Sequence, residues 1–178
     1  MTYIRVNDSE LSGESMFYFA YGSNMSLSRL KERTPSAQRI GVCTLQNHDL
    51  RFHKHGADGS GKCDAFQTRN SNDFVFGSLF RIDPFEKPAL DLAEGLGLGY
   101  DEKLVTLTRD SGENVTAFTY YAIKINAALK PYTWYLQHVV IGAKESNCPS
   151  SYVSRIEAIE SIEDRDRQRA MKERAIHR

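Results

Sequence analysis

Residues 16–25 read MFYFAYGSNM, and this stretch decides which fold the sequence predicts. Its first six residues form a compact aromatic and apolar run, which is typical of a buried strand. Gly22 interrupts that strand, and Ser26 is a good N-cap for a short helix that runs through Arg33 and ends before Pro35. The ordered domain is therefore predicted to begin with a strand, a turn and a helix.

The rest of the chain changes from strand-like to helical patterns. Strands are predicted at residues 40–46, 50–53, 63–68, 74–82, 103–108 and 115–124. Between the fourth and fifth of these, Pro88 fits the first position of a short helix that stops at Glu94 and Gly95. Helical spacing dominates residues 133–144 and the segment after Pro149. This order predicts a mixed α/β (α+β) domain in which the two later helices pack on the sheet.

Composition and length predict one folded domain. The chain has 178 residues, of which 40% are hydrophobic and 26% charged, an ordinary balance for a globular protein. We assign residues 16–162 to this domain. Residues 1–15 are a polar lead-in with little periodicity, and residues 163–178 are a charged C-terminal helix or tail.

Charge and cysteine content exclude several classes of function. Lys plus Arg total 23 and Asp plus Glu total 23, so no net field attracts nucleic acid or an anionic membrane. No apolar run is long enough to span a bilayer. Cys43, Cys63 and Cys148 form no CxxC pair, and we interpret them as small buried side chains in a reducing compartment. The lead-in lacks the features of a signal or transit peptide, so we expect a cytoplasmic protein.

The turn at residues 21–25 is a candidate anion site. It follows a strand and precedes a helix, so its backbone N–H groups could converge on a substrate carboxylate while Gly22 permits close approach. The same pattern also fits a plain strand-to-helix turn with a serine or asparagine cap. Spacing alone does not decide between these interpretations.

Several short motifs together resemble the γ-glutamylcyclotransferase family. They occur in that family's order, and they are YFAYGSNM (18–25), PSA (35–37), LQ (45–46), FG (76–77), LDLAEG (90–95) and IGAKE (141–145). Each motif is weak alone, whereas the ordered set is specific and extends over residues 16–160. The resemblance implies a curved, barrel-like sheet with a pocket at one end and helices packed outside. It also implies an enzyme that acts on a small γ-glutamyl compound without a metal or other cofactor, and it allows a homodimer.

The resemblance implies roles for individual residues. Glu94 corresponds to the catalytic carboxylate. The residues that correspond to the substrate-binding set are Tyr18, Phe19, Ala20, Tyr21, Gly22, Ser23, Asn24 and Tyr135. Tyr100 and Tyr120 are expected nearby. Residues 95–101, GLGLGYD, depart from the animal-type sequences, so the shape of the leaving-group side of the pocket is left open.

A single carboxylate suits the implied cyclisation. The α-amine of a γ-glutamyl group attacks its own γ-carbonyl, so the nucleophile is already tethered. The attacking amine must lose a proton and the leaving amine must gain one, and one carboxylate can do both. We expect Leu92, Leu96 and the Phe/Tyr-rich strands to shield Glu94 from water, and the loop amides to bind either the α-carboxylate or the γ-carbonyl. The pattern at Glu94 also fits a solvated acid at a helix C-terminus.

The predicted reaction converts γ-L-glutamyl-L-amino acids to 5-oxo-L-proline and a free amino acid, with Glu94 as general base and acid. Two alternatives keep this chemistry and change the substrate to glutathione or to a γ-glutamyl amine. A third is a non-catalytic protein that binds a γ-glutamyl metabolite.

Other conspicuous residues receive structural interpretations. Gly95, Gly97 and Gly99 are interpreted as a flexible turn because they do not join a strand to a helix. His53 and His55 have strand-like spacing and are interpreted as surface histidines rather than metal ligands. His138 lies on a predicted helix among apolar residues, so we expect it to be packed or hydrogen-bonded.

Overall fold

The computed structural model describes residues 16–177, so the predicted lead-in at residues 1–15 lies outside the described part of the chain. The strands are β1 (Met16–Ala20), β2 (Gln38–Gln46), β3 (His48–His55), β4 (Gly61–Gln67), β5 (Phe74–Ile82), β6 (Tyr100–Arg109) and β7 (Asn114–Ala122). The helices are α1 (Leu27–Lys31), α2 (Lys87–Glu94), α3 (Thr133–Glu145), α4 (Ser150–Glu157) and α5 (Arg167–Ala175). Short 3₁₀ turns lie at Ser23–Met25 and Pro84–Glu86.

Five of these strands form a closed barrel in the order β1-β5-β2-β6-β7. Strand β1 pairs antiparallel with β5 along its whole length. On its other side it meets β7 in a parallel contact at Tyr18 and Phe118, which closes the sheet. Thr119 Oγ1 reinforces this closure by donating a hydrogen bond of 2.8 Å to the Phe19 carbonyl oxygen. The predicted mixed α/β fold with a barrel-like sheet is confirmed.

Strands β3 and β4 form a separate hairpin that packs beside the barrel. Asp64 on β4 joins the two units, because its Oδ1 accepts a 2.9 Å hydrogen bond from the Ala122 backbone N–H on β7. Its Oδ2 lies 2.8 Å from His53 Nε2. His53 is therefore buried against a carboxylate, and its interpretation as a surface histidine is wrong, because its ring packs against Asp64 and Phe66 of the neighbouring strand β4.

The helices pack on one another and on the turn that follows β1. Helix α3 packs on the 3₁₀ turn that follows β1, and α4 packs on α3. Helix α5 is attached through Glu173, which pairs with both Arg29 of α1 and His138 of α3. His138 is 1% exposed, as expected for a packed histidine. The charged C-terminal segment thus contains a helix with specific contacts.

Some element boundaries differ from the sequence expectation. Helix α1 begins after the predicted cap Ser26, whose Oγ accepts from the Arg29 N–H, but ends at Lys31 rather than Arg33. The backbone tightens there because the Arg33 and Thr34 N–H groups both donate to the Leu30 carbonyl. Strand β5 has the predicted bounds, and Cys43, Cys63 and Cys148 are buried free thiols as expected. None of the helices in residues 16–177 has the length and apolar character needed to span a bilayer.

Candidate active site

A small cavity lies where the end of β1 meets the end of α2. It contains about 300 Å³ of empty space, including its mouth toward solvent. Five tyrosines and the glycine-serine-asparagine turn form most of its wall, and the full lining consists of Tyr18, Tyr21, Gly22, Ser23, Asn24, Cys63, Glu94, Tyr100, Tyr120 and Tyr135. Residues from the start, middle and later part of the sequence are therefore brought together at one site.

The turn after β1 forms one wall of this cavity because Gly22 allows close packing. A Cβ atom on Gly22 would lie 2.9 Å from Cys63 Cβ and 3.4 Å from the Tyr135 hydroxyl oxygen. Ser23 and Asn24 begin the 3₁₀ turn, so their backbone N–H groups have no carbonyl partner within that turn. Both residues line the cavity, and the amides of such a turn can bind a ligand oxygen.

Glu94 is the last residue of α2, and its carboxylate faces the turn. Gly95 ends the helix in the left-handed conformation, with φ of 69°. Glu94 is half-buried, and its Oε1 accepts a 2.7 Å hydrogen bond from Asn24 Nδ2. The expected shielding by Leu92 is wrong, because that side chain is 84% exposed on the outer face of α2. The tyrosines of the cavity wall limit contact with water, as expected of the Phe/Tyr-rich strands.

Asn24 also fixes the phenol of Tyr18. Its Nδ2 donates to the Tyr18 hydroxyl oxygen at 3.2 Å, so the Tyr18 proton is free to point elsewhere in the cavity. Burial, with a further contribution from the negative charge of Glu94, raises the pKa of Tyr18 well above its usual value. Tyr18 is therefore a neutral hydrogen-bond donor next to the carboxylate.

A second carboxylate on α2 orients Tyr120. The Tyr120 hydroxyl donates to Asp91 Oδ1 at 2.6 Å, and Asp91 in turn pairs with Lys87 Nζ at 2.7 Å. Asp91 and Glu94 are three residues apart and lie on the same side of the helix. Burial and nearby acidic groups keep the pKa of Tyr120 far above its ordinary value, so this phenol also stays protonated.

The hairpin supplies the opposite wall through Cys63. Its backbone N–H donates to the Tyr135 hydroxyl at 3.0 Å, and its carbonyl accepts from the Tyr100 hydroxyl at 2.5 Å. Burial raises the pKa of the Cys63 thiol to about 12, so the sulfur is not a nucleophile at neutral pH. Cys63 therefore acts as a scaffold for two tyrosines.

A basic groove opens from the same cavity. We use this name for the surface trench that contains Arg33, Lys54 and Lys124 and shares Ser23, Glu94, Tyr100 and Tyr135 with the cavity. Its other cations are paired, since Arg29 pairs with Glu173, Lys62 with Asp58 and Arg169 with Asp164. Local positive charge is thus concentrated beside Glu94 although the whole chain carries no net charge.

Most sequence-predicted site residues meet at the cavity. Glu94 lies in its wall together with six of the eight predicted binding residues, and Tyr100 and Tyr120 lie there as well. Phe19 and Ala20 do not line the cavity, and Phe19 packs against Gly77 in the barrel. Asp91 and Lys54 were not predicted as site residues. Asp91 had a usable signal in its spacing from Glu94, whereas nothing in the sequence marks Lys54 as buried.

The chain is similar to known proteins. A sequence model of the AIG2-like family matches residues 74–156, which include Glu94 and Tyr135. The chain is 31% identical over 157 residues to a protein of Mus musculus named gamma-glutamylcyclotransferase, across 85% of this chain and 82% of the mouse protein. The chain belongs to the γ-glutamylcyclotransferase family.

Two further comparisons support membership in the γ-glutamylcyclotransferase family. A Bos taurus protein of the same name is 30% identical over 154 residues, covering 83% of this chain and 80% of the bovine protein. A solved structure named gamma-glutamyl cyclotransferase superposes with a TM-score of 0.80 at 27% identity, covering 89% of this chain and 99% of the other. The barrel and its packed helices are therefore the fold of this family.

Proposed function

We propose that this member of the family converts γ-L-glutamyl-L-amino acids to 5-oxo-L-proline and a free amino acid, with Glu94 as the proton-transferring group. The observation that supports the proposal is the meeting of Glu94 and the glycine-serine-asparagine turn in one cavity, joined by the 2.7 Å hydrogen bond from Asn24. A carboxylate held in this way has a fixed oxygen, Oε1, and a second oxygen left for the substrate.

The protons of the reaction balance with one carboxylate. Glu94 removes a proton from the α-ammonium group, and the freed amine attacks the γ-carbonyl carbon to form the ring C–N bond. Glu94 gives this first proton to the leaving nitrogen as the bond from that nitrogen to the γ-carbon breaks. The carboxylate then takes the second proton from the ring nitrogen and passes it to the released amine, which departs as an ammonium group. No water molecule is consumed.

Neutral donors surround the site of charge development. Tyr18 keeps its proton and has its oxygen held by Asn24, and the Ser23 and Asn24 amides have no partner within their turn. Such groups stabilise an oxyanion without the cost of reorienting solvent. They can receive either the oxyanion that forms from the γ-carbonyl oxygen or the α-carboxylate, and both assignments fit the same cavity.

The direct test is to follow 5-oxoproline by NMR during incubation of the purified protein with γ-glutamyl-alanine. We expect 5-oxoproline and alanine in equal amounts. Glutathione and an ε-(γ-glutamyl)-lysine compound belong in the same panel, since activity on only one of these would change the substrate assignment. Binding of γ-glutamyl-alanine without product would support the non-catalytic alternative and reject the enzymatic proposal.

We also propose a cytoplasmic location and self-association as a homodimer. The three buried free thiols support a reducing compartment. Cell fractionation tests the location, and recovery in an oxidising compartment would reject it. Light scattering during size-exclusion chromatography tests the dimer, and a monomeric mass at micromolar concentration would reject it.

A further inference from the structure

Lys54 has a mostly buried side chain and no ion-pair partner among the described residues. It lies on β3, is 9% exposed, and lines the basic groove beside Glu94. Its Nζ lies 4.4 Å from the centroid of the Tyr100 ring. Within residues 16–177 this Nζ makes no hydrogen bond and no ion pair, whereas Lys62 on the adjoining strand pairs with Asp58 at 2.7 Å. An ammonium with limited access to water is stabilised when an anion or other acceptor binds it.

The surroundings of Lys54 are shaped around its side chain. Gly99 leaves room for it, because a Cβ at that position would lie 2.7 Å from Lys54 Cε and 2.8 Å from Nζ. Burial lowers the pKa of Lys54, and the nearby negative charge of Glu94 acts in the opposite direction. The ammonium is therefore held in the part of the groove that also contains Glu94 and Tyr100.

Two other cations extend this charge along the basic groove. Arg33 donates to the Arg29 carbonyl oxygen but pairs with no carboxylate of the described residues. The exposed Lys124 also lines the groove and pairs with no carboxylate of these residues. The acidic groups Asp58 and Glu173 in the groove are already paired with Lys62 and Arg29. The groove thus has positive charge in excess of its own anions.

The position of the groove relative to Glu94 connects it with the leaving group. If the γ-glutamyl unit occupies the tyrosine-lined cavity, as in the function proposed above, the scissile amide lies at Glu94 and the leaving amino acid extends into the groove. We propose that Lys54 binds a carboxylate of the leaving group, and that the enzyme prefers acidic leaving groups with two carboxylates, such as glutamate. This inference rests on the proposed function and names its substrate class.

A matched substrate series tests the preference. The series consists of γ-glutamyl-alaninamide, γ-glutamyl-alanine and γ-glutamyl-glutamate, whose leaving groups differ by one carboxylate at each step. We expect kcat/KM to rise about tenfold from the first to the second, the size of effect that a charged hydrogen bond produces, and to rise again for the third. Equal kcat/KM for the carboxamide and the carboxylate would overturn the inference.

The variant Lys54→Met tests the residue. Methionine keeps a long apolar stem and removes the charge. We expect KM for γ-glutamyl-alanine to rise about tenfold while the carboxamide substrate is affected much less. The control is Lys103→Met, which removes a half-buried lysine on β6 whose Nζ contacts His48 at 2.9 Å, away from the groove. A circular-dichroism melt of both variants checks their folding.

The outcomes separate the two proposals. If no γ-glutamyl compound yields 5-oxoproline, the proposed function fails. If 5-oxoproline forms but Lys54→Met lowers kcat/KM equally for carboxylate and carboxamide, the activity stands and the role of Lys54 in binding the leaving group is rejected.

Discussion

The cavity and the basic groove meet at Glu94 but are built in opposite ways. In the cavity the polar groups hold one another, as shown by the hydrogen bonds from Tyr120 to Asp91 and from Tyr100 to the Cys63 carbonyl. In the groove Lys54 and Lys124 have no such partner within the described part of the chain. The cavity therefore has its geometry fixed before a ligand arrives, whereas the groove offers charge that a ligand completes.

This difference predicts that the two regions affect different kinetic parameters. Preorganised donors act on the transition state, where small displacements of an atom are costly. Partly solvated cations contribute less energy and act mainly on the choice and capture of ligands. Changes in the cavity should therefore lower kcat, and changes in the groove should raise KM.

The largest effect is expected from Glu94→Gln, which removes the proton acceptor and preserves shape. We expect kcat to fall by about 10³-fold, because a positioned general base contributes on that order. Isothermal titration with γ-glutamyl-alanine should still show binding. Glu113→Gln, on the exposed β6–β7 turn, is the matched control. Normal turnover in Glu94→Gln would remove Glu94 from the mechanism.

Asn24→Ala should have the next largest effect. It removes the donor to both Glu94 Oε1 and the Tyr18 hydroxyl, so the carboxylate loses its fixed orientation. A fall of about 30-fold in kcat is expected for a hydrogen bond to a charged group, with little change in KM. Steady-state kinetics measure both, and Asn114→Ala at the start of β7 is the control. A change confined to KM would mean that Asn24 binds substrate rather than positioning Glu94.

Salt concentration should change KM, which depends on the groove, and should not change kcat, which depends on the cavity. Ionic screening weakens the interactions of exposed charges more than it weakens buried hydrogen bonds. Raising NaCl from about 0.05 M to about 0.5 M should therefore raise KM for γ-glutamyl-glutamate about threefold and leave kcat unchanged. The γ-glutamyl-alaninamide control should show a smaller rise in KM. An equal rise for both substrates would contradict a role for groove charge in selection.

The smallest effect on catalysis is expected at His138, which lies behind the groove. Burial lowers its pKa to about 4, and it faces Glu173, His177 and Arg29. Below its ordinary pKa the unfolded chain takes up a proton that the folded chain does not, so stability falls as pH decreases from about 6.5 to about 4. In His138→Gln the loss in the free energy of unfolding over this pH range should be smaller, by on the order of 2 kcal/mol, and kcat should be unchanged.

Urea unfolding at several pH values between about 5 and about 7 measures this slope. Burial opposes ionisation of Glu173, but its hydrogen bonds with His138 and Arg29 lower its pKa to about 2. Its contribution to stability is therefore lost only as pH falls from about 4.5 toward 2, below the tested range. His55→Gln is the control, and an unchanged slope in His138→Gln would show that other groups cause it.

The sequence predicted the parts of the site that short stretches of sequence define. The aromatic run ending at Gly22 and the helix ending at Glu94 each have a local signature, and the ordered motifs linked them. Glu94 was expected to be shielded by Leu92, Leu96 and the Phe/Tyr-rich strands. Tyrosines of those strands line its cavity, whereas Leu92, its neighbour in the sequence, points outward. The burial of Lys54 depends on Gly99, 45 residues away by number, and no local pattern encodes such a contact.

Closure of the barrel has a consequence for how the protein acquires activity as it folds. Among the paired barrel strands, β6 and β7 are joined by a short turn, whereas β1 pairs with β5 and β7 from far along the chain. Such non-local pairings form slowly because long loops must close first. The Tyr21 hydroxyl donates to the Tyr120 carbonyl across this last seam, so the cavity exists only once the seam is made. Recovery of turnover during refolding should therefore lag behind the recovery of secondary structure.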